Sequence, residues 1–200
     1  MKARERGGER TFSVKSTSST LDDLFRAIQG CTRCERSATR HLAVPGEWDA
    51  GIRIMLLGEA PGRQEDRTGR PFIGRAGLYL EQLMEEYGLK RNQFFITSVL
   101  KCFHPGAPKK DQLKACMPWT ERQILTANIS AVLVMGTTAA SALLNIGRLG
   151  EGVICRTWQD IPCVVTAHPA AAMRFPERDE QFRQGWSVFL DKVREAGLLP

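Results

Sequence analysis

The apolar run Ile52, Ile54, Met55, Leu56 and Leu57 ends at Gly58, and the stretch from Gly58 to Gly77 then carries five glycines and two prolines before helical periodicity begins. Branched apolar residues packed this closely, with no polar alternation, read as a strand buried on both faces. A segment rich in glycine and proline continues neither a strand nor a helix. The chain must therefore leave the sheet at Gly58 and return to it through a helix. Gly58 to Gly77 is expected to be a long strand-to-helix loop, and structureless loops of this length inside a compact domain usually carry function.

The same unit recurs along the chain. Phe94, Phe95, Ile96, Val99 and Leu100 predict a second strand ending at Lys101-Cys102, Ala131 to Met135 a third, and Ile161 to Ala167 a fourth. Leu21, Leu24, Phe25 and Ile28 fall at helical spacing between an N-cap at Thr20 and a stop at Gly30. Leu80, Leu83, Met84 and Tyr87 line a second helix before Gly88. Asp111 is the expected cap of a third, broken or kinked at Pro118, and Gly136 turns the third strand into a small-residue helix from Thr137. Phe182, Trp186, Phe189 and Val193 line a last helix closed by Gly197, and Gly147 to Gly152 reads as a turn. Strands alternating with helices imply parallel pairing through right-handed crossovers, hence a three-layer α/β/α domain around a four-stranded parallel sheet. Such sheets bind ligands beyond the carboxyl ends of their strands, here Gly58 to Gly62, Ser98 to Lys101, Gly136 and Ala167-His168-Pro169.

A chain of 200 residues, 42% hydrophobic and 25% charged, is expected to fold as one domain over 21–200. No window is apolar enough to span a membrane, and the basic start is not followed by the apolar stretch of a secretory signal, so the cytoplasm is the expected compartment. A net charge of +6 favours an anionic partner, nucleic acid being the commonest. Residues 1–20 supply half of it, from five basic and two acidic side chains, and their Ser/Thr-rich composition predicts a disordered basic tail.

The glycine-rich stretch has neither the Gly-Lys-Ser/Thr ending of a triphosphate loop nor the spacing of a dinucleotide site. Glu59, next to a strand end, suits the holding of water or a metal better than phosphate. His168 leaves a buried strand directly before Pro169, which restricts it to extended geometry and fixes where the imidazole can go. His41 and His104 have no such placement, so His168 is the acid-base or hydrogen-bonding candidate. Cys31 and Cys34 form a CxxC pair, and Cys102 and Cys116 flank the loop after the second strand. Four thiols from two places can close around one metal or cluster. Spacing alone does not choose between zinc and iron-sulfur, and ordinary buried cysteines are the competing reading. Cys155 and Cys163 are expected to be structural.

Taken together, Gly58-Glu59-Ala60-Pro61-Gly62, the stretch Thr68 to Gly77, Lys101-Cys102, His168-Pro169-Ala170-Ala171 with Arg174, and the four-cysteine pattern resemble the uracil-DNA glycosylase superfamily, family 4, the iron-sulfur-containing type. The likeness covers about Leu21 to Leu199. It implies extrusion of a damaged base, uracil first, and hydrolysis of its N-glycosidic bond by a monofunctional DNA glycosylase. It implies a [4Fe-4S] cluster on Cys31, Cys34, Cys102 and Cys116, with zinc as the weaker choice. His168 is expected to donate to the departing base and Glu59 to orient water. Phe72 would stack on the flipped ring, and Ala60, Pro61 and Ser98 complete the base pocket. Ala60 stands where other branches place a catalytic Asp. Arg70, Arg75, Met173, Arg174 and Phe175 are the expected DNA contacts, with Lys109 and Lys110 as further phosphate contacts. The expected partner is DNA carrying a damaged base, without a membrane, and the chain is expected to act as a monomer at the nucleoid.

The chain departs from that family in two places. Ser98 replaces the Asn whose amide pairs with two groups on the uracil edge, and Phe103-His104 replaces Arg-Pro. Losing a bidentate contact costs about 1–3 kcal/mol of base discrimination. Two other expectations follow: a wider base range that includes hypoxanthine or xanthine, and a member that binds nucleic acid without turnover.

Overall fold

The computed structural model describes residues 20–199; the basic tail expected at the start of the chain lies almost wholly outside them. The elements run α1 (Leu21–Gln29), β1 (Ile54–Gly58), α2 (Arg63–Thr68), α3 (Arg75–Glu86), β2 (Phe95–Ser98), α4 (Lys110–Thr126), β3 (Ala131–Met135), α5 (Thr137–Leu144), β4 (Ile154–Trp158), β5 (Ile161–Thr166), α6 (Pro169–Ala172) and α7 (Pro176–Glu195).

The sheet has five strands in the order β2-β1-β3-β5-β4. The four expected strands are parallel neighbours, and β4 adds an antiparallel edge on β5. This fifth strand corrects the four-stranded expectation. Its exposed residues Cys155, Arg156 and Thr157 lack an apolar run, and it joins β5 through Gln159 and Asp160 at φ 45° and 66°. A two-residue hairpin with both φ positive is normally marked by Asn-Gly or Asp-Gly, so Gln-Asp hid it. Cys155 is accordingly an exposed edge-strand thiol, whereas Cys163 is buried in β5.

Alternation along each buried strand divides the core in two. Met55, Leu57, Phe95, Val132, Val134 and Val165 face α1, α4 and α5, while Ile54, Leu56, Ile96, Leu133 and Val164 face α3 and α7. A strand covered on both faces is apolar at every position, which explains the unbroken runs. The chain crosses from β1 to β2 over the α3 face and from β2 to β3 over the α4 face. The topology therefore reverses beside β1, where open α/β sheets bind ligands.

Two local corrections apply. The loop after β1 contains the short helix α2, closed by Gly69 in left-handed geometry. Lys109 and not Asp111 is the N-cap of α4, its backbone N–H donating to Gln112 Oε1 at 3.1 Å; Asp111 lies inside the first turn, and the helix runs through Pro118 without ending.

Candidate active site

A cavity of about 560 Å³ opens at the carboxyl ends of β1, β2 and β5. Ala60, Pro61, Phe72, Ser98 and His168 line it, together with the exposed side chains Arg63, Arg75, Met173 and Arg174. Its lining runs from Val44 to Arg174, so it gathers residues that lie up to 130 positions apart in the sequence.

His168 is the N-cap of α6, and its Nδ1 accepts the backbone N–H of Ala170 at 3.1 Å. A ring nitrogen that accepts carries no proton, so the neutral imidazole holds its hydrogen on Nε2 and is a donor there. Burial lowers the pKa of His168, and the nearby Glu59 charge opposes that shift only in part. The ring is thus a neutral donor at neutral pH.

Phe72 lies beside it, the two rings 6.0 Å apart and inclined by 28°. Its backbone sits at φ 50°, a conformation that costs a bulky residue energy and needs surrounding structure to hold it. Two glycines leave the room. A Cβ on Gly58 would stand 2.4 Å from the Phe72 ring, and one on Gly77 would stand 1.9 Å from its carbonyl oxygen. Gly58 also pairs in register with Ser98, whose Oγ is 3.5 Å from that same Cβ position. Ring, hydroxyl and imidazole therefore share one end of the sheet.

Side chains outside the expected set hold the loop. The buried Glu65 accepts the N–H groups of Ile73 and Gly74 through Oε1, at 3.1 and 2.9 Å. Arg91 donates to the carbonyls of Pro71 and Phe72, and to the carboxylates of Glu47 and Glu81. Burial pushes the Glu47 pKa up, but its bonds to Arg91 and then Arg70 outweigh this and leave it lowered. None of these four residues stands out in the sequence, because a Glu in a helix or loop and an Arg in a turn resemble ordinary surface charge.

Glu59 does not line the cavity. Its Oε2 accepts the hydroxyl of Thr138 at 2.5 Å, which fixes the carboxylate between the ends of β1 and α5, where its charge still reaches His168. Arg70 is ion-paired with Glu47 at 3.0 Å rather than directed to the cavity, and Lys109 is paired with Glu35 at 2.7 Å. Lys110 is exposed at the start of α4, and Phe175 is exposed at the start of α7 without lining the cavity. The expected DNA contacts thus fall into Arg75, Met173 and Arg174 around the cavity and Arg70 and Phe175 apart from it.

The four cysteines come together. Cys31, Cys34, Cys102 and Cys116 line a second small cavity with Arg40, Lys101 and Trp119. Trp119 Nε1 donates to Cys31 Sγ at 3.3 Å, and Arg40 Nη1 donates to Cys102 Sγ at 3.0 Å. Burial raises the thiol pKa of Cys102 and pushes that of Cys116 up to about 11. Buried Arg36 reaches the Cys102 carbonyl and leaves Nη2 without a partner, and buried Lys101 bonds only neutral acceptors, Thr97 Oγ1, the Ser98 carbonyl and Gln123 Oε1. Burial pushes Lys101 down to about 7. Cations enclosed without carboxylates, beside sulfurs that already accept N–H donors, fit an anionic group bound by the thiols. Among the described residues no three potential ligands converge on a single metal ion.

Comparison with known proteins agrees with this geometry. Residues 45–190 match the model of the uracil DNA glycosylase superfamily. The chain is 33% identical over 181 residues to a type-4 uracil-DNA glycosylase of Pyrobaculum aerophilum, covering 84% of this chain and 92% of that protein. It is 35% identical over 193 residues to the type-4 enzyme of Saccharolobus solfataricus, covering 88% and 86%. A type-5 uracil-DNA glycosylase of Thermus thermophilus is 35% identical over 117 residues, covering 50% and 53%.

Proposed function

The chain belongs to the uracil DNA glycosylase superfamily, and on that basis we propose that it removes uracil from DNA by hydrolysing the N-glycosidic bond. The observation that carries the reading is the neutral His168, its Nδ1 occupied and its Nε2 left to donate beside Phe72 in the cavity.

Cleavage develops positive charge on the sugar and negative charge on the departing pyrimidine. A donor aimed at a base oxygen stabilises the leaving anion, and the Nε2–H of the neutral imidazole can supply that hydrogen bond. Phe72 holds the flipped ring by stacking. Glu59 adjoins Ala60 of the cavity wall; although Thr138 fixes it outside the lining, it is proposed to orient the attacking water at the sugar once DNA is bound, and its charge favours the positive sugar in the transition state. Ser98 reads the base edge with one hydroxyl, supported by backbone groups of Ala60 and Pro61. Arg75 and Arg174 contact phosphates and Met173 fills the space the base leaves; Arg70 and Phe175 act further along the duplex.

The thiols of Cys31, Cys34, Cys102 and Cys116 are proposed to hold a [4Fe-4S] cluster. These four side chains, which line one small cavity with the buried Lys101 beside them, would hold the group as thiolates, and the enclosed cations would suit its negative charge. Bound there, the group supplies a rigid cross-link between the end of α1, the end of β2 and α4. Among the described residues no helix is long and apolar enough to cross a membrane. We propose a monomer acting on chromosomal DNA in the cytoplasm.

The test is a panel of oligonucleotides carrying uracil, hypoxanthine or xanthine, single- and double-stranded. Alkali-labile sites at uracil are the expected result. Cleavage at hypoxanthine or xanthine instead would establish the wider base range, and tight binding with no base release would establish a silent binder.

A further inference from the structure

We infer that Arg91, together with Glu47, is a positioning residue that sets where the Phe72 ring stands, by anchoring the strained peptide of Phe72 to the edge of the sheet. The inference rests on the proposed stacking of a base on Phe72.

Arg91 opens a single turn of 3-10 helix, Arg91–Gln93, just before β2. It lies outside both the glycine-rich loop and the His168 motif. Its guanidinium has five N–H bonds, and all five are used. Nε and Nη2 donate to Glu47 Oε2 at 3.0 and 2.6 Å. Nη1 donates to the Phe72 carbonyl at 3.0 Å and to Glu81 at 2.9 Å, and Nη2 also bonds the Pro71 carbonyl. The Arg91 side chain is 15% exposed, so its end of these bonds is largely shielded from water, while Glu47 and Glu81 are partly exposed.

Glu47 is itself fixed. Its backbone exchanges two hydrogen bonds of 2.9 Å with Ile96 in the middle of β2. The chain of contacts therefore runs from the sheet through Glu47 and Arg91 to the carbonyls on either side of the Pro71–Phe72 peptide junction. Glu65 holds the following N–H groups of Ile73 and Gly74. A positive φ at a phenylalanine persists only when the surroundings over-determine it. Here the residue is held through carbonyls on one side and N–H groups on the other.

Lysine cannot reproduce the arrangement, because an ammonium is a point charge with three donors and not a planar fork. Misplacing a reacting group by about 1 Å costs roughly 10²-fold in rate, and a ring freed from its carbonyl anchors moves by a fraction of that. The expected loss for Arg91→Lys or Arg91→Ala is about 10- to 100-fold in single-turnover uracil release.

A purely structural role would give the same loss, so the test is a double-mutant cycle with Phe72→Ala. In the Phe72→Ala background neither Arg91 variant is expected to lower the rate further, and affinity for a duplex carrying an abasic-site analogue, which has no base to stack, is expected to stay at the wild-type value. Equal losses in both backgrounds, or no loss in either, would overturn the inference. Glu47→Gln provides a second variant of nearly unchanged size, with the same expected dependence on Phe72, should Arg91→Ala fold poorly. A wild-type protein that releases no base would refute the proposed function, whereas an active wild type with an equally active Arg91→Lys would refute only the positioning role.

Discussion

Gly77→Ala separates helix propensity from active-site geometry. Gly77 is buried in the first turn of α3, where glycine costs about 1 kcal/mol relative to alanine, so propensity alone makes the substitution stabilising. The new Cβ, however, would stand 1.9 Å from the Phe72 carbonyl oxygen, 2.1 Å from its carbonyl carbon and 2.8 Å from its Cα. These are backbone atoms that cannot rotate away, so the Phe72 peptide must retreat by roughly 1 Å, for which rate losses are about 10²-fold. Overpacking costs about 1–3 kcal/mol, leaving a net destabilisation of about 0–2 kcal/mol once propensity is subtracted. For a chain of this size that is a fall in Tm of no more than about 8 °C. Single-turnover uracil release and thermal melting, measured on the same preparation, give both numbers. Gly147→Ala is the control, since nothing lies within 4 Å of its Cβ position. A Gly77→Ala protein with raised Tm and undiminished excision would refute the claim that the close approach of α3 sets the Phe72 geometry.

Ser98→Asn restores a two-point contact at the base edge and is expected to raise uracil release relative to other bases by about 10-fold or more, worth about 1–3 kcal/mol; parallel assays on each base check it. His168, whose folded-state pKa is lowered by burial, binds fewer protons when folded than when unfolded at mildly acid pH. Stability is therefore expected to be free of this penalty above about pH 6.5, to fall as pH drops below that value, and to level off below the folded pKa; the slope is expected to vanish in His168→Ala. Cys116→Ser is expected to abolish the brown colour and bound iron of the purified protein and to lower its thermal stability, as read by absorbance, iron content and melting; stoichiometric zinc in colourless wild-type protein would contradict the cluster.

The parts of the fold legible in the sequence were those with an unbroken apolar signal. The strands at Ile54–Gly58, Phe95–Ser98 and Ala131–Met135 are covered on both faces along their length and Ile161–Thr166 from Cys163 onward, and the carboxyl ends carried the unusual residues Glu59, Ser98 and His168. Strand β4 was not legible, because an exposed antiparallel edge needs no apolar run and its turn lacks glycine. Helix α2 was masked by the glycines and prolines around it. Within the site, Phe72 and His168 were marked by motif, but their supports Glu65, Arg91, Glu47 and Thr138 are common polar residues whose role exists only through contacts between distant segments. The grouping of the four cysteines was anticipated by spacing; the cations enclosed near them, Arg36 and Lys101, are abundant types that only burial singles out.

The central claim is that a neutral His168 drives base release by donating to the leaving pyrimidine. The most direct measurement is the single-turnover rate of free uracil release by wild type and His168→Ala, with DNA affinity measured alongside. A fall of about 10²- to 10³-fold in rate, with affinity for uracil-containing DNA unchanged, is the predicted result. Rate and affinity falling together, or a His168→Ala protein that releases uracil at the wild-type rate, would contradict it.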